Sequence, residues 1–434
     1  MAGKQRTKTL GEVCSTITDG AHQSPKTVQS GMPMASVKDL NFWGLDLDTA
    51  RHISHEDYLA LVRQGCQPLV GDVLIAKDGN SALDTVCVIE EPMDVVLLSS
   101  IAILRPDSSQ IESKYLKYYF MSPNVIDYLK SNFISGAAIP RVILRDFKRA
   151  AITLPDLDEQ RAIAHILGTL DDKIELNRRR NQTLETMARA LFKDWFVDFG
   201  PVRAKMEGRE PYLTAETWEL FPTRLDDEGK PEGWTMATLD SLAQLMTTSV
   251  SPGKSPETIF EHYSIPAFDA GRMPAMERGE SIKSNKYIVD CDAVLVSKLN
   301  PQTPRIWMPF VTTDNAICST EFMQFVPHDR ANRPYLYCLM SSQAMQEEVL
   351  RHVTGSTGSR QRAQPSQIAK VHIMEPHVDI LKAFNQKAAP ILDAVADNQR
   401  ESCTLAELRD TLLPKLISSE LRITDAERFL ETRA

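Results

Sequence analysis

The chain has 434 residues, enough for two or three domains, each with its own core. With 42% hydrophobic and 25% charged residues and no apolar run of about 18, the composition excludes both a membrane-spanning and an intrinsically disordered chain. A net charge of −9 excludes a uniformly basic nucleic-acid binder, and seven scattered cysteines without a CxxC pair argue for a reducing cytoplasm and against a zinc module or disulfide framework.

The opening residues MAGKQRTKTLGEV lack the apolar core of a signal peptide. Residues 1–154 read as a mixed α and β domain. Strands are expected at Leu10 to Ile17, Val70 to Lys77, Val86 to Glu90, Leu97 to Leu104 and Ala150 to Leu154. Asp78-Gly79-Asn80 is a tight-turn signal after the second of these. Helices are expected at Ser113 to Met121 and Asn124 to Ser131. A Gly-containing turn, Ser135 to Ala138, then precedes Arg141. His52 and His55 are spaced HxxH, but no further ligands follow at metal-site spacing, and a surface turn is expected.

Residues 155–199 read as a long helical spacer. Ile163, Leu167, Leu170, Ile174, Asn177, Asn181, Leu184, Ala188, Leu191 and Trp195 recur at alternating steps of four and three. That is a heptad seam, and a helix with one apolar stripe over this length requires a partner helix. Pro155, Asp156, Asp158 and Glu159 mark its start. Asn177 and Asn181 would fix register at a cost in stability. Residues 200–233 are polar and turn-rich and are expected to form an ordered connector with one short helix near Ala215 to Leu220.

At this point the chain repeats itself. With a shift of 221 residues, Val73 to Lys77 falls on Val294 to Lys298 and Thr183-Leu184 on Thr404-Leu405. Tyr335-Leu336 answers Tyr115-Leu116, and Gly355 to Arg360 answers Ser135 to Arg141. Residues 234–376 are thus a second copy of the first domain with different loops. Residues 377–434 are a second helical spacer and C-terminal tail, with the seam Phe384, Ala388, Ile391, Val395, Asn398, Ser402, Leu405, Arg409 and Leu412. Pro390 lies inside this seam and its counterpart is Gly168-Thr169, so a kink or short break is expected at both places, and Pro414 is expected to end the second helix. The fold class is α+β: two mixed α/β domains in tandem repeat, separated by two long antiparallel coiled-coil helices. The coiled-coil contacts are expected from Leu170, Ile174, Asn177, Leu184 and Leu191 on one helix, and Ile391, Val395, Asn398, Leu405 and Leu412 on the other.

Charge is unevenly spread. Residues 1–155 hold 16 basic and 17 acidic groups and residues 234–376 hold 13 and 14, so each domain is near neutral and can still present a basic face. Candidate contacts are cations and amides in loops: Lys26, Lys38, Lys77, Asn80, Arg141 and Arg145 in the first copy, and Lys298, Asn300, Arg360, Gln361 and Arg362 in the second. Arg pairs with guanine and Asn or Gln with adenine through two hydrogen bonds, whereas Lys more often meets phosphate. A solvated surface charge is the plain alternative for each. Arg178-Arg179-Arg180 reads as a solvated or protein-facing run.

Catalytic motifs are nearly absent. Gly253-Lys254-Ser255 resembles the end of a P-loop, but Thr248 stands where its first glycine belongs. Asn300-Pro301-Gln302-Thr303 starts like the NPP-aromatic motif of amino-methyltransferases and lacks its second proline and aromatic. Pro106-Asp107 with Glu112-Ser113-Lys114 resembles a PD…ExK nuclease pattern, but its spacing is short and the second copy has no ExK.

Leu154 to Phe199, the connector PVRAKMEGREP, the repeated half-domains, the opening LGEVCSTITDGAHQSPKTVQSGMP and Gly233-Trp234 together resemble the specificity subunit of type I restriction–modification systems. The resemblance covers nearly the whole chain. It implies two target-recognition domains that each read one half of a split double-stranded DNA site, with the helices setting the gap. It implies a non-catalytic, cytoplasmic subunit without a cofactor or metal of its own. It would recruit two adenine methyltransferase subunits that bind S-adenosylmethionine, and restriction/translocase subunits that use ATP and Mg2+ in phage defence. A stand-alone metal-dependent nuclease of restriction type is the alternative.

Overall fold

The computed structural model describes residues 6–79, 82–135, 140–355 and 361–431. It divides into two compact units, Met1–Glu175 with Thr404–Ala434, and Leu176–Cys403. Each unit therefore holds one repeat together with part of both long helices.

In the first unit a four-stranded antiparallel sheet has the order Cys14–Asp19, Ile101–Pro106, Val73–Ala76, Val86–Val88. One face of its central strands, Val73, Ile75, Ala102 and Leu104, packs into a core with Tyr115 and Leu116 of the helix Ser113–Met121. The other face, Leu74, Ala76, Ile101 and Ile103, forms a second core with Ala35 and Leu97. A sheet covered on both faces explains why Val73–Ala76 is apolar throughout instead of alternating. A three-stranded sheet joins Arg51–Ile53, Met32–Ala35 and Val96–Leu97.

Two strand expectations change here. Leu10–Val13 is a helical turn, because Thr9 and Glu12 form a capping box in which the Glu12 carboxylate accepts from Thr9 N at 2.7 Å and Thr9 Oγ1 at 2.8 Å. The stretch Leu97 to Leu104 is two strands: Val96–Leu97 belongs to one sheet and Ile101–Pro106 to the other, and the turn between them carries the chain across.

The second unit repeats the four-stranded sheet as Ala243–Met246, Phe322–Pro327, Val294–Ser297 and Ile306–Trp307. The parallel pair Met32–Ala35 with Val96–Leu97 recurs as Ile259–Tyr263 with Ala316–Ser319. Around that pair the copies diverge. The first adds the helix His55–Arg63, and the second extends to five strands with Ser249–Val250, Lys286–Ile288 and Ala275–Arg278.

The long helices are Leu157–Phe196 and Val378–Ile417, 40 residues each. At about 1.5 Å per residue each is about 60 Å long. The expected breaks at Gly168-Thr169 and Pro390 are not present, and Pro414 lies inside the second helix. Pro390 and Gln386, whose carbonyl loses its helix partner, are both exposed, so the freed oxygen lies on a face open to solvent and is not a buried orphan. Within the first unit the start of the first helix shares a core with the end of the second: Ile163, Leu167 and Leu170 with Leu408, Leu412 and Leu416. Within the second unit the end of the first meets the start of the second, Phe192 and Trp195 with Phe384 and Leu392. The helices are therefore antiparallel in each unit.

The seam is broader than a heptad stripe. Leu170, Ile174, Asn177, Val395 and Leu412 are buried as expected, but Leu184, Leu191, Ile391, Asn398 and Leu405 are only half-buried. Phe192 and Leu392, each one position on, are the deeper residues, because the helices pack on the domain cores as well as on each other. The polar positions hold the register. Asn177 is fully buried and donates to Glu401 Oε2 at 2.7 Å, and Asn398 Nδ2 donates to Asn181 Oδ1 at 2.8 Å. The connector contains Gly200–Met206 and Ala215–Glu219, one helix more than expected. At Gly200 a Cβ would lie 2.0 Å from Asp194 Oδ1, so a larger residue there would displace the Asp194 and Tyr212 side chains.

Candidate nucleic-acid interface

Each repeat ends its central strand in the same loop frame. In the first copy Val73–Ala76 runs into Lys77, Asp78 and Gly79, which lie against the hairpin of Ile134–Ser135 and Arg141–Val142. Val142 N donates to Lys77 O at 3.0 Å and Gly79 N to Pro140 O at 2.9 Å. In the second copy Ala363 N donates to Lys298 O at 2.9 Å and Asn300 N to Gln361 O at 3.2 Å. Gly79 (φ 90°) and Asn300 (φ 47°) both adopt the left-handed backbone that the tight turn needs. The sequence candidates Lys77 and Arg141 are thus brought together in one copy, and Lys298, Asn300, Gln361 and Arg362 in the other.

The side chains in the two frames differ. Lys77 is 5% exposed and ion-paired with Asp19, so it braces the loop and is not a surface cation. This corrects its reading as a contact. The strand register places Thr247 where the first copy has Asp19, and Lys298 is half-buried with no ion pair among the described residues. Arg141 is exposed and bonds Asp78 Oδ1 at 3.0 Å. Arg362 bonds the Glu321 carboxylate at 3.0–3.2 Å. Both guanidiniums are tethered by carboxylates that the sequence reading did not identify, because the pairs are 63 and 41 residues apart.

Lys38 sits on the Val37–Asp39 turn, exposed. That turn and the Lys77 strand end share one residue: Val37 N donates to Ser100 Oγ at 3.1 Å, and Lys77 N to Ser100 O at 2.8 Å. Arg145, with a side chain 83% exposed, follows the hairpin on the Leu144–Phe147 turn. Lys26 is exposed in the long loop after Asp19. Asn80 and Arg360 lie outside the described residues. Arg178, Arg179 and Arg180 are on the exposed face of the first helix.

The nuclease-like residues have other partners. Asp107 accepts from Ser109 N at 3.0 Å and Gln110 Nε2 at 2.7 Å, which caps a turn and holds its carboxyl below the usual range. Lys114 pairs with Glu90 at 2.9 Å. Among the described residues one group has metal-ligand geometry, Asp290-Cys291-Asp292, and the Arg330 guanidinium lies 3.0 Å from Asp290, on its carboxylates. Among the described residues no helix is long and apolar enough to cross a membrane.

Residues 4–186 match the family model of the type I restriction modification DNA specificity domain. The chain is 25% identical over 383 residues to the Type I restriction enzyme HindI specificity subunit of Haemophilus influenzae, covering 75% of this chain and 81% of that one. It is 26% identical over 332 residues to the MjaIX specificity subunit of Methanocaldococcus jannaschii, covering 73% and 70%. The fold is similar to that of the type I restriction–modification system S subunit from M. genitalium, with a TM-score of 0.51 and 14% identity over 95% of this chain and 96% of that one.

Proposed function

We propose that this chain is a specificity subunit of a type I restriction–modification system, like the proteins it resembles, and that each of its two repeats reads one half of a split site in duplex DNA. The observation that carries this reading is the duplicated loop frame with unlike side chains. One backbone arrangement presents Arg141 in one copy and Lys298, Asn300, Gln361 and Arg362 in the other. Equal frames suit equivalent approaches to DNA, and unequal side chains suit unequal base sequences, so the site need not be a palindrome. Lys26, Lys38 and Arg145 supply phosphate contacts around the first loop. The first target-recognition domain is residues 1–154 and the second 234–376, with helical spacers at 155–199 and 377–434 and the connector at 200–233.

The chain itself is non-catalytic in this reading. Methyl transfer from S-adenosylmethionine belongs to two adenine methyltransferase subunits, and ATP- and Mg2+-dependent translocation and cutting belong to restriction subunits, all in the cytoplasm. No observation favours the nuclease alternative, since Asp107 and Lys114 are engaged in a turn cap and an ion pair. The test is a methylation map: the chain is expressed with its adenine methyltransferase in a host free of methylation, and genomic methyl-adenine is sequenced. A split motif with one constant gap, methylated on each strand, is expected. A continuous motif, or none, would defeat the two-reader reading.

A further inference from the structure

Glu185 stands in the first long helix with only 7% of its side chain exposed. A carboxylate taken out of water needs compensating cations. Arg189, one turn on, lies 3.4 Å away, as on any helix surface. The closer partner is Arg272, whose Nη1 donates to Glu185 Oε1 at 2.6 Å from 87 residues away in the second repeat. Arg272 has the left-handed backbone, φ 59°. Its N–H closes the short helix Ile265–Asp269 by bonding Ala267 O and Phe268 O, and its guanidinium lies 4.9 Å from the Phe268 ring. A long side chain on a left-handed residue, aimed at a buried carboxylate, is not what a solvent loop needs.

From there bonded groups continue to the proposed reading loop. Asp269 ends the short helix and receives Arg305 Nε at 2.6 Å and Nη2 at 2.9 Å. Arg305 O accepts from Ser297 N at 2.9 Å, at the strand end before Lys298. Thr303, whose carbonyl is 3.5 Å from Arg305 Nη1, donates its N–H to Asn300 O at 2.9 Å. The first repeat is braced at the matching place. Counted on from the equivalent strand residues Ala35 and Tyr263, residues 40–44 correspond to 268–272, and there Phe42 lies 3.6 Å under Lys117 Nζ and 5.6 Å from Arg409, which bonds Asp171 of the first helix at 2.9 Å.

We infer that the Arg272–Glu185 pair is a positioning device that fixes the Lys298–Thr303 loop against the spacer helix and so restricts the complex to one gap between half-sites. This rests on the two-reader function. The pair touches no base in this role, so its loss should alter spacing and not base preference.

The test uses the full chain with its methyltransferase and the same methylation map. In the double variant Arg272→Gly/Glu185→Gln, glycine suits the left-handed backbone and glutamine leaves no unpaired buried charge, so the fold is retained. Asp269→Ala breaks the next link separately. Both variants should keep the bases of both half-sites and gain methylation at sites whose gap is one base pair longer or shorter, by at least about tenfold over wild type. A soluble variant complex with the wild-type restriction to one gap overturns the inference. So does one that keeps the gap but loses base discrimination in the second half-site. A wild-type map without a split motif removes the two-reader reading itself, which is a different failure.

Discussion

Asp171 sits in the heptad interval between Leu170 and Ile174, where an apolar reading of the seam leaves no role for it. Its side chain is 3% exposed, and it accepts from Tyr118 Oη at 2.7 Å and Arg409 at 2.9 Å, with Lys117 Nζ at 3.9 Å. The Lys117 ammonium is itself buried, which lowers its pKa. Asp171→Asn removes the buried charge that faces Lys117 and that shares Arg409 with Asp410. It should cost about 3–5 kcal/mol, read as a lower urea midpoint, with Asp171→Asn/Arg409→Met recovering part of the loss. Arg409 appeared in the sequence only as a member of the second seam. Its partner was invisible because 238 residues separate them.

At the scale of elements, the heptad periodicity identified both long helices and their ends to within a few residues, and it misjudged their prolines. Pro390 interrupts one backbone bond on an exposed face, and the packing of Phe384, Ala388 and Leu392 carries the helix through. Pro390→Ala should therefore stabilise the chain by about 1–3 kcal/mol in urea unfolding, since it restores a helix bond and removes the ring clash. A change near zero would mean that the helix gains nothing from continuity there. The strand expectations were weaker for a related reason. In Leu10–Val13 only Leu10 and Val13 are buried, and Leu98–Ser100 is half-buried, so a few buried apolar side chains do not distinguish a strand from a capped turn.

Across the whole molecule burial pushes the thiols of Cys14, Cys87, Cys318 and Cys338 up to about 12 from the usual 9.0. Between those values the folded chain holds protons that the unfolded chain releases. Stability should thus be undiminished below about pH 9 and fall as pH rises from there toward 12, with Lys117, Lys205 and Lys286, which burial lowers, opposing in part. Thermal midpoints from pH 8 to 11 check this, and a flat profile would contradict it. The two repeats also make a modular prediction. Replacing residues 234–376 with those of another family member should change the bases of one half-site and leave the other half-site unaltered in the methylation map. The first unit keeps its own closing segment, Thr404–Ala434, in that exchange.

What the sequence by itself determined is the architecture: the 221-residue repeat, the two helices, and the loops in which cations and amides gather. Those follow from periodicity and from turn chemistry, which act between neighbours in the chain. Only the tertiary structure decided which of the cations are available. Lys77 and Lys298 are the same position in the two copies, yet Asp19 neutralises the first, and the uncharged Thr247 holds the register position of Asp19 in the second. Which groups face each other across strands and helices is set by packing between distant segments, and a side chain's charge acts only through what packing places beside it.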